Sequence, residues 1–215
     1  LSPENPIQRA TVLADGEVVL GLAAGYGEEQ SGDNEVFFAP MVAYGITENL
    51  SIGTYGARYR FLARDTSGLG LELSSSIGLA GYLDDESDLD DDAVGWGADI
   101  TGKYVLSNNT ALTFSAAYVL WDQEESDNKS SYNLSLGVQQ NLSDKVTVSA
   151  SYTYTDLKDF VQDNSYDASV GLNYSLSKNT DLGAFVSTSD FDAVKNGYSD
   201  ESIDKAVGVY ASYRF

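Results

Sequence analysis

The chain of 215 residues contains no cysteine and no histidine. Without cysteine there is neither a disulfide framework nor a thiolate metal site, a composition suited to an exported protein that must avoid mispairing in an oxidising compartment. Without histidine, Ser-His-Asp and Cys-His catalysis and HExxH zinc chemistry are excluded. An enzyme would have to run on carboxylates, Tyr, Lys or Arg. Basic residues are few, 12 against 33 acidic ones, and the net charge of -21 argues against nucleic acid and against a basic patch for anionic membranes. No run approaches the roughly 20 apolar residues of a membrane helix. Crossing by strands stays open, because a barrel strand needs about 10 residues and hides half of them from lipid. A mean hydropathy of -0.23 is compatible with that.

Proline is scarce (3), whereas glycine (20) and tyrosine (15) are plentiful, which favours β structure with tight turns. The last ten residues show the pattern most clearly. Val207, Val209, Ala211, Tyr213 and Phe215 fall on one face, and Ala206, Gly208, Tyr210, Ser212 and Arg214 on the other. This ending resembles the carboxy-terminal strand of Gram-negative outer-membrane β-barrels. The resemblance implies that Val209, Ala211, Tyr213 and Phe215 form the signal read by the barrel assembly machinery.

The same period of two recurs along the chain. Residues 1–15, with Pro3 and Pro6, lack it and are read as a periplasmic amino-terminal tail, and residues 16–215 as the barrel. Leu1 onward reads as polar and mature, which predicts a leader already removed. Large residues such as Leu20, Phe38, Ile77, Trp96, Phe114, Leu134, Tyr152 and Leu172 share one phase, while Gly, Ser, Thr, Asn and Ala occupy the other. A uniformly apolar face is what lipid demands of a closed sheet, so the large residues are placed against lipid. Short connections (Thr47-Glu48-Asn49, Ser107-Asn108-Asn109, Ser143-Asp144-Lys145, Ser177-Lys178-Asn179) alternate with long acidic ones. In the barrel class these are periplasmic turns and extracellular loops respectively. About 11 segments can be counted, but both ends on one side require an even number. The pattern slips by one residue near Gly53-Thr54, as a bulge or a concealed turn would make it do. The expectation is therefore an all-β antiparallel transmembrane barrel of 12 strands with one short hairpin, or 10 if a segment lies outside the wall.

The inward charges are Arg58, Arg60, Glu72, Asp99, Lys103 and Arg214. They either pair across the lumen as structural ties or, unpaired, form a constriction that selects permeant ions. Pairing is expected for most. Tyr82, Tyr210 and Trp121 are read as inward rings, and the other tyrosines as an aromatic girdle near strand ends. The acidic run of Asp84, Asp85, Glu86, Asp88, Asp90, Asp91 and Asp92 reads first as a solvated extracellular loop. Its alternative is a weak Ca2+ or Mg2+ site, although it lacks the ligand spacing of an EF-hand. With Glu124, Glu125, Asp127, Asp159, Asp163, Asp200 and Glu201 it would give the outer mouth a negative field.

No catalytic residue or resident cofactor is assigned. The leading expectation is a passive outer-membrane channel for small hydrophilic solutes that prefers cations. The alternative is a structural or surface-interaction barrel with an occluded lumen, as part of a larger envelope complex. Outer-membrane lipid and lipopolysaccharide, the latter through divalent ions, are the expected partners, and nucleic acid is not.

Overall fold

The computed structural model describes residues 2–54, 56–83, 93–123, 127–199 and 201–215. Strands β1 (Val18–Glu29), β2 (Asn34–Thr47), β3 (Leu50–Gly53), β4 (Gly56–Leu62), β5 (Gly70–Leu83), β6 (Ala93–Ser107), β7 (Thr110–Gln123), β8 (Lys129–Asn141), β9 (Val146–Lys158), β10 (Asn164–Ser175), β11 (Thr180–Ser189) and β12 (Ile203–Arg214) form one sheet. Each pairs antiparallel with its sequence neighbours, and β12 returns to β1, so the barrel is closed. The seam is continuous. Leu20 lies opposite Tyr213 and Ala24 opposite Val209, while Val18 and Phe215 exchange backbone hydrogen bonds of 2.9 and 3.0 Å.

The strand count is 12, and the slip near Gly53 is a hairpin: Gly53 pairs with Gly56 at the tip of β3 and β4. These two strands are much shorter than the rest and reach only part of the way up the wall. A Cβ on Gly56 would lie 2.1 Å from the Ile77 carbonyl oxygen, so a residue without one is needed where the hairpin turns against β5.

Burial is inverted relative to a soluble domain. Leu20, Phe38, Ile77, Trp96, Leu134, Leu136 and Val209 are among many large apolar side chains left exposed, whereas Glu72, Ser74, Ser175 and Asp181 are fully buried. The apolar residues share the outer face and the small polar ones the inner face, as a barrel in hydrocarbon requires. Outer-face tyrosines pair across strands, Tyr118 with Tyr132 at 5.0 Å and Tyr154 with Tyr166 at 5.3 Å between ring centroids.

One face assignment differs from the sequence reading. A bulge between Leu79 and Gly81 moves Tyr82 into register with Val94, on the outer face shared with Leu79 and Trp96, so its ring does not enter the lumen. Trp121 and Tyr210 do point inward. They are joined by Phe37 and Phe185, which lie over Gly25 and Gly208 and whose ring centroids are 6.5 Å apart.

Candidate functional site: a stoppered lumen

Residues 2–17 fold into the end of the barrel that carries the short turns. They hold there through polar contacts made almost entirely with inward side chains of the wall. Ile7 is fully buried against Val105 and Ala111, and Val12 is buried as well. Lys103 donates to the carbonyls of Pro6 (2.9 Å) and Arg9 (3.0 Å), and Arg64 donates to the carbonyl of Gln8 (2.7 Å). Asn5 donates to the Asn108 carbonyl in the β6–β7 turn and accepts from Asn141. Thr11 donates its amide to Glu72.

Two carboxylates organise these contacts. Asp181, 1% exposed, lies between Arg9 of the tail (2.8 Å) and Arg214 of β12 (2.5 Å), so one buried anion ties the segment to the seam strand. Glu72, equally buried, meets Arg60 (3.4 Å) and Arg64 (3.6 Å) as well as the Thr11 amide. Charges taken this far from water persist only when paired and hydrogen-bonded. A third carboxylate, Glu17, sits where the tail enters β1. Its oxygens accept from the Ser2 hydroxyl (2.5 Å) and from the amides of Ser2 (3.1 Å) and Ala14 (2.9 Å). Burial alone would raise its pKa, but these hydrogen bonds, aided by nearby Arg214, hold it below the ordinary glutamate value. The turn that Glu17 stabilises crosses β2 at Gly45, where backbone bonds run from Gly16 to Gly45 and from Gly45 to Glu17.

Above the tail the lumen has two unlike sides. From β7 to β10 it is lined mainly by hydroxyl and amide side chains, Thr113, Ser115, Asn133, Ser135, Gln139, Ser149, Ser151, Thr153, Ser169 and Asn173, with one carboxylate, Asp167 of β10, opposite Thr153. The hydroxyls of Ser135 and Thr153 meet at 2.7 Å, as do those of Ser151 and Ser169. Asn133 Oδ1 and Gln139 Oε1 are buried and have no protein hydrogen-bond partner among the described residues. On the other side Arg58 grips Asp99 with both terminal nitrogens (3.2 and 3.0 Å) and also donates to Ser74. A cavity of about 620 Å³ lies on this side, between Arg58 and the tail residues Thr11 and Val12.

At the end that carries the long loops, Leu157, Phe160, Ala193 and Tyr198 pack with Ala93, Trp121 and Phe191 into an apolar cluster attached to the inner face. Lys129 lies over the rings of Phe160 (5.3 Å) and Tyr198 (5.1 Å).

Of the six inward charges read from sequence, Arg58 and Asp99 pair with each other, Arg60 with Glu72, and Arg214 with Asp181, while Lys103 binds tail carbonyls. The sequence reading had no place for Arg9, Glu17, Arg64 and Asp181. Arg9 lies within the unpatterned tail and Glu17 just after it, and Arg64 sits in what reads as a turn. Asp181, however, is inward by the same alternation that puts Leu182 outward, so the signal was present there. Val209, Ala211, Tyr213 and Phe215 lie on the outer face beside β1. The acidic run from Asp84 to Asp92 lies outside the described residues. Among those described, no group of three or more His, Cys, Asp or Glu is arranged to hold a metal ion.

Comparison with solved structures gives the same architecture at very low sequence identity. The NanC porin superposes with a TM-score of 0.60 at 9% identity, over 90% of this chain and 98% of that one. OmpT, an outer membrane protein of Vibrio cholerae in its trimer form, gives 0.55 at 10%, covering 94% and 100%. The KdgM porin gives 0.54 at 9%, covering 92% and 99%. A sequence search of curated proteins finds no match. The family model of the outer membrane protein beta-barrel domain matches residues 14–175, three quarters of the chain, and the protein therefore belongs to that outer-membrane family.

Proposed function

We propose that the protein is a porin-like passive channel of low conductance for small hydrophilic solutes, with its amino-terminal segment as a stopper. The observation that carries this reading is the lumen wall of β7–β10, built from small hydroxyl and amide side chains with a single carboxylate, Asp167, among them. Porins among the structural neighbours support the channel class. With the short turns and the tail in the periplasm, as is usual for such barrels, the long loops face outward. Asp127, Asp159, Asp163 and Glu201, together with the run from Asp84 to Asp92, then give the outer mouth a negative field that concentrates cations.

The competing reading is a structural barrel that conducts nothing, and the docked tail favours it. Single-channel recording in a planar bilayer under a salt gradient separates the two. A channel gives discrete steps and a cation-selective reversal potential. A silent bilayer, even after the tail is released, supports the structural barrel. Joint substitution of Asp84, Asp85, Asp90, Asp91 and Asp92 by Asn should weaken selectivity and leave folding unchanged; unaltered selectivity would remove the loop field from the account.

A further inference from the structure

The short β3–β4 hairpin leaves the wall incomplete above its tip. β2 pairs with β1 from Asn34, opposite Glu28, to Tyr44, opposite Val18, but with β3 only from Ala43 to Thr47. β5 pairs with β6 up to Leu83, but with β4 only as far as Gly78. Among the described residues, the edges Asn34–Met41 of β2 and Leu79–Leu83 of β5 therefore have a strand on one side only. At about 3.3 Å per residue the shorter edge runs for roughly 15 Å. At the hairpin tip two strands hold β2 and β5 apart, a separation of three interstrand spacings or about 14 Å. An opening of that size admits a hydrocarbon chain.

The opening joins lipid to lumen. The 620 Å³ cavity is lined both by outward residues at its rim (Val42, Ile52, Ile77, Leu79) and by inward residues such as Met41 and Val119. Ile77 is 66% exposed and Val42 48%. The lumen surface behind the rim carries apolar Met41, Ala43, Ala117 and Val119 beside the ion-paired Arg58 and Asp99. Hydrocarbon on the outer face is thus continuous with a cavity whose size suits a small apolar ligand.

An unpaired edge could instead accept a strand from another chain. The sequence opposes this. Val42 directs both its amide and its carbonyl toward β3, accepting from the Thr54 amide at 2.9 Å and donating to the Thr54 hydroxyl at 2.8 Å. In an antiparallel strand residues two apart direct their backbone groups to the same side. Pro40 therefore faces the opening, at a position where an added strand would need an N–H and proline has none.

We propose that the gap between β2 and β5 is a lateral portal through which a single apolar chain, the tail of a long-chain amphiphile dissolved in the membrane, enters the lumen. The portal is independent of conduction along the barrel axis and stands or falls separately from the channel reading.

The test uses lumen-facing tryptophans in a Trp96→Phe, Trp121→Phe background, reconstituted in phosphatidylcholine vesicles doped with a dibrominated long-chain fatty alcohol. Ala117→Trp faces the portal cavity, and Ser151→Trp faces the lumen from β9, behind an equal thickness of wall. Val119→Trp serves as a second reporter at the cavity if Ala117→Trp does not fold. Several-fold stronger bromine quenching at position 117 or 119 than at 151 is the expected result. Equal quenching at the two sides overturns the portal. So does a cross-linked dimer joined through the β2 edge, because a second copy would then fill the gap.

Discussion

Replacing Asp181 by Asn removes the anion that holds Arg9 to the barrel while keeping the side-chain shape. Asp181 is buried and meets Arg9 at 2.8 Å and Arg214 at 2.5 Å, so the substitution strands two guanidinium groups at once. Removing one partner of a buried ion pair costs about 3–5 kcal/mol, and the lower value applies here because the Arg9 side chain keeps 16% of its exposure. Arg214 retains Glu17 at 3.8 Å, whereas Arg9 keeps only carbonyls of its own segment, Pro3 and Glu4. Most of the loss therefore falls on tail docking. About 3 kcal/mol corresponds to a roughly hundredfold rise in the undocked fraction at 1.36 kcal/mol per factor of ten. Trypsin reads this directly, because Arg9 is the only Lys or Arg in residues 1–17. When cleavage is slow relative to reclosing, its rate follows the open population. Release of the peptide ending at Arg9, followed by mass spectrometry in detergent, should be about a hundredfold faster in Asp181→Asn than in the wild type. Asp99→Asn, whose ion-pair partner is Arg58, should behave as wild type. A rate unchanged in Asp181→Asn would show that the Arg9–Asp181–Arg214 cluster does not hold the tail.

Other perturbations address the same contacts from different directions. A Cβ at Gly45 would fall 1.9 Å from the Ala14 carbonyl oxygen, so Gly45→Val should expel the entry turn and raise the same tryptic rate, with barrel heat-modifiability on gels retained. Glu17 has its pKa lowered in the folded protein, so its contribution is complete above the ordinary value of 4.5 and is lost as pH falls through the lower, folded value. Tail release, followed by an acid-active protease, should therefore begin only below about pH 4.5, and in Glu17→Gln that acid-dependent step should shrink, the remainder belonging to the Asp181 carboxylate that ties Arg9. On the lipid face the Phe114 ring covers Gly102, where a Cβ would lie 2.1 Å from ring carbon; Gly102→Val should cost about 1–3 kcal/mol in guanidinium unfolding from detergent, and no change would deny this packing.

Much of the wall could be read from the sequence because lipid and lumen impose opposite demands on alternate residues, and that alternation survives in the long strands except where β5 bulges between Leu79 and Gly81. The short hairpin was legible as well, since inserting a turn between Ile52 and Ala57 reverses the phase of the side chains. Tyr82 was misplaced because a bulge adds one residue without altering composition, so the pattern continues past it on the wrong face. Phe37 and Phe185 escaped notice for a related reason: large rings were expected outside, yet each lies over a glycine of the neighbouring strand that leaves room for it inside. The tail was the least legible element. Its fold depends on ion pairs between residues far apart in the chain, Arg9 with Asp181 above all, and on backbone carbonyls taken by Lys103 and Arg64. No local period records contacts of that kind.

The most direct test of a hydrated lumen closed by its own amino terminus is the conductance of single Asp181→Asn barrels in one bilayer, before and after trypsin is added to the side bearing the short turns. A small, cation-selective conductance that steps upward as the Arg9 peptide is released is the predicted result. Barrels that stay silent both before and after cleavage would contradict the account.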